Sequence, residues 1–187
     1  MKHQIECEEK FFCKHTPELI SFILNELNFK FKETLEEEDI YLKDEKGIYI
    51  KKDACLRLRK TNNLFLELTR KSVVNQNNQL KKEKNIPFPI NKEKRLLSLL
   101  KRIGISPYCQ VKKQRTIYLK RQENLTYSIT LDTINNKTQF MELEITTKSL
   151  QNDLEIKLDN FISLFHTFNL KKANTNYRDF IINEIKS

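Results

Sequence analysis

The chain has 187 residues, of which 39% are hydrophobic and 32% are charged. A chain of this length can bury a sizeable core without disulfides or structural metals, and its 2 Gly and 4 Pro argue against a collagen-like or disordered protein. Its 34 basic and 25 acidic residues leave a net charge of +9, which favours polyanionic partners such as nucleic acid, phospholipid surfaces or polyphosphates.

No apolar stretch approaches the ~20 residues that a membrane span needs, and the N-terminus lacks the apolar segment of a signal peptide. We therefore expect a cytoplasmic protein without a membrane partner. The cysteines form no C-x-x-C pair, so we interpret them as reduced thiols that hold no metal. The sequence contains no glycine-rich phosphate loop, which argues against P-loop and dinucleotide-binding folds.

Hydrophobic periodicity divides the chain into strands and helices. Thr16 followed by Pro17 is typical of a helix start, because the hydroxyl caps the first turn and proline fits the first helical position. Leucine alternates with polar residues on both sides of Thr61-Asn62-Asn63, which predicts a hairpin. The predicted elements, in chain order, are a strand at 2–13, a helix at 17–28, a hairpin near 44–47, strands at 56–59 and 64–71, a helix at 92–103, strands at 109–121, 126–134 and 138–147, and a helix at 152–168.

Residues 72–91 are rich in Asn, Gln and Lys and contain two prolines, so they predict an extended loop within a single domain that spans 1–187. The segment from 70 to 102 holds ten Lys or Arg against only two acidic residues. It lacks the interleaved aromatic residues that stack on bases, and basic loops are more often simply solvated. The role of this basic segment stays open at the level of sequence.

The polar faces of the predicted strands carry grouped charges. Like charges recur two residues apart, as in Glu6 with Glu8 and Arg57 with Arg59. One interpretation is an ordinary antiparallel sheet whose mixed charges form cross-strand pairs beside water. The other is a site for a metal and a polyanion, because a solvated sheet gains nothing from such repulsion. By strand, the polar-face residues are Glu6, Glu8 and Lys10; Arg57 and Arg59; Glu67, Thr69 and Lys71; Lys113 and Arg115; Ser128, Thr130 and Asp132; Glu142 and Glu144.

These residues resemble a known family. Glu6-Cys7-Glu8-Glu9-Lys10 matches the E-x-E-x-K signature of the CYTH domain, also called the triphosphate tunnel metalloenzyme superfamily, which includes thiamine triphosphatases, inorganic triphosphatases and class IV adenylyl cyclases. The motifs that follow in order are CLRLR, LELTRK, VKKQR, SITLD and FMELEI, and TNYRDFI resembles the closing segment of the family. Three features depart from the family: YLKD at 41–44 stands where the family often has Tyr-x-Asp, the predicted loop at 72–91 is long, and Asn176 stands where serine is common.

The resemblance implies an α+β fold, with a closed eight-stranded antiparallel β tunnel barrel that has a polar interior and about three helices outside. It also implies a cofactor, Mg²⁺ or Mn²⁺, and the roles of individual residues. The implied catalytic residues are Lys10, Glu6 and Glu8; the implied triphosphate-binding residues are Lys10, Arg57, Arg59, Lys71, Lys113 and Arg115; the implied metal ligands are Glu6, Glu8, Asp132, Glu142 and Glu144.

The function that the resemblance implies is metal-dependent hydrolysis of a small-molecule triphosphate, such as tripolyphosphate, thiamine triphosphate or a nucleoside triphosphate. One alternative is a class IV adenylyl cyclase, which uses the same groups to make cyclic AMP from ATP. The other is a non-catalytic module that binds polyphosphate or RNA. We favour hydrolysis because the sequence offers no evident adenine-reading site, and we expect a monomer or a homodimer.

Overall fold

The computed structural model describes residues 3–51, 54–74, 80–149 and 151–186. Within them, no helix is both long enough and apolar enough to cross a membrane. The fold is α+β, and its elements in chain order are β1 (His3–Phe12), α1 (Pro17–Ser21) with a π-helical turn (Phe22–Glu26), β2 (Lys30–Asp44), α2 (Ile48–Lys51), β3 (Cys55–Thr61), β4 (Phe65–Val73), β5 (Leu80–Pro89), a 3₁₀ turn (Ile90–Lys92), α3 (Glu93–Arg102), β6 (Ile105–Gln122), β7 (Leu125–Ile134), β8 (Thr138–Thr147), α4 (Leu154–Ser163), a 3₁₀ turn (His166–Phe168), β9 (Lys171–Lys172) and α5 (Tyr177–Lys186).

The strands pair in the order β5-β4-β3-β2-β6-β7-β8-β1-β9, with an additional pairing between β5 and β1. Each of the first eight strands therefore has a hydrogen-bonded neighbour on both sides, and β9 is an extra short strand beside β1. Because β5 also pairs with β1, the sheet closes on itself. The predicted closed, eight-stranded antiparallel barrel is confirmed by this pairing.

The chain divides into two compact units, which are described separately. The β3 unit comprises residues 36–112 and the C-terminal helix, and the β1 unit comprises residues 4–35 and 113–174. In the β3 unit, the apolar faces of β3 and β4 supply Leu58 and Leu66, which form one buried cluster with Leu100 of α3. Burying such a side chain contributes about 1.5–3 kcal/mol, so α3 anchors this half of the sheet.

The core of the β1 unit lies on the apolar faces of β7 and β8, where Ile129, Leu143 and Ile145 are fully buried. Helix α4 packs on β8, and its Phe161 meets Tyr127 of β7 edge to face at 5.3 Å between ring centroids. The opposite faces of the same strands carry the polar residues. Packing on one face therefore determines which way the acids and bases point.

The turn that the sequence predicts at Thr61-Asn62-Asn63 is confirmed, and a second asparagine turn lies between β7 and β8. Asn62 and Asn63 join β3 to β4 with φ of 50° and 53°, and Asn135 and Asn136 join β7 to β8 with φ of 50° and 56°. Asparagine tolerates this left-handed conformation, which matches the twist of a two-residue hairpin. The turns hold the flanking strands in register.

The prediction of an extended loop at 72–91 is wrong. Strand β4 continues to Val73, and Leu80–Pro89 form β5, which pairs with β4 along its whole length; residues 75–79 lie outside the described residues. Prolines usually argue against a paired strand because they lack an N–H. Pro87 and Pro89 are two residues apart, so both missing donors face the same neighbour. The backbone hydrogen bonds of β5 to its neighbour on the other side are unaffected.

Other boundaries differ in smaller ways. The chain turns at 44–47 as predicted, but helix α2 separates that turn from β3, so the two long strands are not joined by a tight hairpin. The described residues contain five α-helices rather than about three, because α2 and α5 carry no long apolar periodicity of their own. The helix predicted at 152–168 ends at Ser163 and continues as a 3₁₀ turn.

Candidate functional site

The strand register of the β1 unit gathers its polar side chains on one face. Glu8 of β1 lies opposite Glu144 of β8, and Lys10 lies opposite Glu142. Strand β7 pairs with the other edge of β8, where Thr130 lies opposite Glu142. Residues directly opposite one another in antiparallel strands project from the same face of the sheet. The residues that the sequence predicts on β1, β7 and β8 therefore share one surface.

Three carboxylates on this face form a compact cluster. Glu6, Glu8 and Glu144 each offer an oxygen atom, and these atoms lie within 4.8 Å of one another. Glu6 is 5% exposed and Glu8 is 9% exposed, so their mutual repulsion is little screened by water. Oxygen ligands from two or more carboxylates are the donor set that Mg²⁺ and Mn²⁺ prefer. The chemistry of the cluster, to which we refer as the carboxylate cluster, fits such an ion.

The other two acids predicted as metal ligands are held by basic side chains. Arg115 donates from Nε and Nη2 to the two oxygens of Asp132 at 2.7 and 2.6 Å, and its Nη2 also donates to Glu142 at 3.1 Å. Lys10 Nζ lies 3.1 Å from the same Glu142 oxygen. Asp132 is fully buried. These contacts favour a metal site made of the carboxylate cluster alone, beside a row of fixed cations.

Lys113 belongs to the same face of β6, two residues before Arg115, and it is only 3% exposed. A buried ammonium group is costly unless anions compensate it. Its position therefore agrees with its predicted role near negative charge, and that role stays a prediction.

In the β3 unit, acids of β2 hold the two predicted arginines. Arg59 donates to both oxygens of Asp39 at 2.6 and 2.7 Å and to Glu37 at 2.9 Å. Arg57 reaches Asp39 at 3.4 Å, and its buried Nε has no hydrogen-bond partner among the described residues. Burial opposes protonation of Arg57, but the combined effect of Asp39 and other nearby groups, among them Tyr41 and Glu83, raises the pKa of the guanidinium. Arg57 therefore keeps its charge and retains a buried donor for an anion.

Lys71 pairs with an acid that the sequence analysis did not select. Its Nζ lies 2.9 Å from Glu83 of β5, which faces it across the strand pair. Burial alone would raise the pKa of Glu83, but Lys71 and Arg57 outweigh burial and lower it to about 2. Nearby Glu67 behaves oppositely, because burial and the charge of Glu83 raise its pKa. The acidic and basic groups of this unit are thus electrostatically coupled.

The folded-state pKa of Glu83 predicts a contribution to acid stability. This contribution is complete above the ordinary pKa of about 4.5 and is lost as the pH falls from about 5 to about 2. Between pH 7 and pH 3.5, the wild type should therefore lose on the order of 1 kcal/mol more unfolding free energy than Glu83→Gln does. Urea unfolding at the two pH values measures the difference. The exposed Glu26→Gln serves as the control, and equal pH dependence in the wild type and Glu83→Gln would contradict the assignment.

Sequence reasoning missed three residues that the structure brings into these networks: Glu37, Asp39 and Glu83. Glu37, Asp39 and Tyr41 occupy every second position of β2 and therefore share one face. The alternation that indicates a strand was present there, but the many charged residues of that segment obscured it. Thr130 Oγ1 is buried without a hydrogen-bond partner among the described residues. The sequence places Thr130 on a polar face, two residues before Asp132, but assigns it no role.

Comparison with known structures places the chain among proteins of similar size. The PH1819 protein from Pyrococcus horikoshii OT3 is 21% identical, with a TM-score of 0.74 over 96% of this chain and 99% of that one. A candidate adenylate cyclase from Vibrio parahaemolyticus is 17% identical, with a TM-score of 0.72 over 96% and 98%. HpAC1 from Hippeastrum, described as a candidate adenylyl cyclase with a dominant triphosphatase activity, is 14% identical, with a TM-score of 0.66 over 98% and 96%. At these identities the likeness shows a shared fold.

No curated protein matches the chain significantly. The family model of the CYTH domain, however, matches residues 4–177, which include every strand that carries a predicted site residue. The match thus covers every strand motif on which the resemblance rests and the first three residues of TNYRDFI, which spans 175–181. The chain belongs to the CYTH domain family.

Proposed function

We propose that the protein is a divalent-metal-dependent hydrolase of triphosphate-containing substrates. The observation that carries the proposal is the carboxylate cluster of Glu6, Glu8 and Glu144, which shares a strand face with the fixed cations Lys10 and Arg115. Metal ligands and phosphate-binding cations are the two components that phosphoryl transfer requires, because its catalysis consists mainly of positioning and charge stabilisation. A binding module for RNA alone has no use for three adjacent carboxylates, which repel a polyanion.

The carboxylate cluster would hold Mg²⁺ or Mn²⁺. Such an ion, when bound, neutralises charge on phosphoryl oxygens and makes a water molecule a better nucleophile. Glu6, Glu8 and Glu144 fix its position because they lie on paired strands rather than on loops. Asp132 and Glu142 act differently in this proposal: they hold Arg115 and Lys10 in place for the substrate.

The basic side chains bind the phosphates in this proposal. A triphosphate carries about four negative charges near neutral pH, so its hydration must be replaced by several charged donors. Glu142 contacts both Lys10 and Arg115, and Asp132 also contacts Arg115, so both positive charges are fixed on the strand face of the carboxylate cluster. We assign Lys10 to a phosphate oxygen next to the attacking water, and Arg115 and Lys113 to the remaining phosphates. Arg57, Arg59 and Lys71 are proposed as further phosphate-binding groups.

Replacing one of these groups should weaken binding selectively. Arg57→Ala is expected to reduce affinity for an imido analogue of tripolyphosphate by about 10-fold to 100-fold, because it removes a charge-assisted hydrogen bond. The fold should persist, since Arg59 keeps its two bonds to Asp39. Lys82→Ala, on the exposed surface of β5, should change affinity by less than about 3-fold. Titration calorimetry compares the two variants, and equal losses would favour diffuse surface electrostatics and the nucleic-acid alternative.

The products identify the reaction. With Mg²⁺ or Mn²⁺, the protein should release orthophosphate from tripolyphosphate, which has no ribose hydroxyl that could serve as nucleophile. ³¹P NMR of parallel reactions with tripolyphosphate and ATP measures both outcomes. Cyclic AMP and pyrophosphate as the main products from ATP would replace the hydrolase with an adenylyl cyclase. Binding of tripolyphosphate without turnover of either compound would indicate a non-catalytic polyphosphate-binding module.

A further inference from the structure

A cavity of about 300 Å³ lies in the β1 unit, on the face of β6 and β7 opposite the carboxylate cluster. Lys120 and Tyr127 face each other across these two strands and form part of its wall. Phe161 of α4 and Phe29, which precedes β2, complete an aromatic lining. The volume is at the lower end of the range for small-molecule pockets, and such pockets combine an apolar lining with a few polar groups. This cavity has that composition.

The aromatic lining is well ordered by its own ring contacts. Phe29 and Phe161 are parallel, with an interplanar angle of 3° and 5.7 Å between centroids. Tyr127 meets Phe161 nearly at a right angle, at 5.3 Å. Phe29 is 5% exposed and Phe161 is 4% exposed, so a further flat ring would meet the small remaining ring surface by stacking or by an edge contact at similar distances. The lining therefore selects an aromatic group over a flexible chain.

The charge of the cavity comes from Lys120. Its Nζ donates to the carbonyl of Leu27 at 2.9 Å and lies 5.9 Å from the centroid of the Phe29 ring. Within the described part of the chain it makes no ion pair with a carboxylate, whereas Lys157 on the rim pairs with Asp153 at 2.9 Å. Among the residues that the structure describes, no acidic residue lines the cavity. An anion in the cavity would be attracted by the ammonium group of Lys120. This attraction would be stronger there than at an open surface, where water largely screens it.

We propose that this cavity binds a small aromatic monoanion, such as an aryl carboxylate or an aryl sulfonate. Its ring packs against Phe29, Phe161 and Tyr127, and its anionic group contacts the ammonium of Lys120. One cation without a carboxylate partner matches a single negative charge and does not match a triphosphate. The site is therefore distinct in both position and ligand class from the proposed hydrolytic site, and it does not depend on that proposal.

Binding of 2-naphthalenesulfonate to the full chain tests the site, with ¹H–¹⁵N NMR as the readout. We expect saturable one-to-one binding, with the largest shifts at Tyr127, Phe161 and the side-chain amide of Asn160. The neutral analogue 2-naphthalenemethanol should bind at least about 10-fold more weakly, because it lacks the charge. An excess of tripolyphosphate should leave the bound sulfonate in place. Non-saturable binding, equal affinity for the two analogues, or displacement by tripolyphosphate would overturn the proposal.

Two variants and a matched control locate the ligand. Lys120→Met keeps an apolar stem but removes the charge, and it should weaken sulfonate binding by at least about 10-fold. Because Lys120 also bonds to the Leu27 carbonyl, a second variant avoids that contact: Asn160→Trp fills the cavity from the exposed side of α4 and should abolish binding. Lys101→Met, on the exposed surface of α3, should bind as the wild type does. Wild-type affinity in a folded Asn160→Trp, or an equal loss in Lys101→Met, would contradict the assignment.

Discussion

Glu144→Gln is expected to lower triphosphate turnover by at least ~100-fold, the scale seen when one positioned electrostatic group is removed from an active site. The amide keeps the size of the side chain but removes one of the three charges of the carboxylate cluster. Because the amide has nearly the same shape as the carboxylate, the metal-free variant should remain folded. The rise in melting temperature on addition of Mg²⁺ or Mn²⁺ should shrink, because a weaker site binds less ion.

Turnover of tripolyphosphate and thermal unfolding with and without the ion measure this prediction together. Glu6→Gln should behave like Glu144→Gln, because both carboxylates belong to the cluster. Glu26→Gln makes the same chemical change at an exposed position of the β1 unit and should leave both measurements unchanged. Near-normal turnover in a well-folded Glu144→Gln would disprove the metal assignment. Loss of turnover with an unchanged response to the ion would place Glu144 in a role other than metal binding.

Arg115→Met is expected to destabilise the protein by about 3–5 kcal/mol, the usual cost of breaking one partner out of a buried ion pair. Asp132 is fully buried and accepts two bonds from this guanidinium, so it keeps its negative charge without its main compensation. Affinity for triphosphate should fall as well, because one of the proposed phosphate-binding cations is lost. Urea unfolding measures the first effect and calorimetry measures the second.

A double variant separates the two effects of Arg115. In Arg115→Met with Asp132→Leu, apolar side chains replace both partners, so much of the lost stability should return while triphosphate affinity stays low. Arg121→Met is the matched control, because it alters an exposed arginine of the same strand, and it should change stability by less than about 0.5 kcal/mol. Equal destabilisation by Arg115→Met and Arg121→Met would show that the buried pair does not stabilise the fold.

The sequence by itself determined which side chains share a strand face. Side chains alternate in any extended strand, so Glu6, Glu8 and Lys10 had to project together, as did Glu142 and Glu144. The turn at Asn62-Asn63 and the helix predicted at 92–103 also followed from local chemistry, because neighbouring residues largely decide them. The closed antiparallel barrel was implied by the resemblance of the ordered motifs to the CYTH domain, not by these local signals alone.

Only the tertiary structure decided which charged side chains form the carboxylate cluster and which form ion pairs. The register of β1 against β8 places Glu8 opposite Glu144 and Lys10 opposite Glu142, and this separates the carboxylate cluster from the ion pairs of Arg115. Register depends on packing between segments far apart in the chain, and one residue of slip would move every side chain to the other face. The same holds for Asp39 and Glu83, which became partners of Arg59 and Lys71 only through strand pairing. Local periodicity carries no information about the partner across the sheet, because that partner is chosen by the free energy of the whole fold.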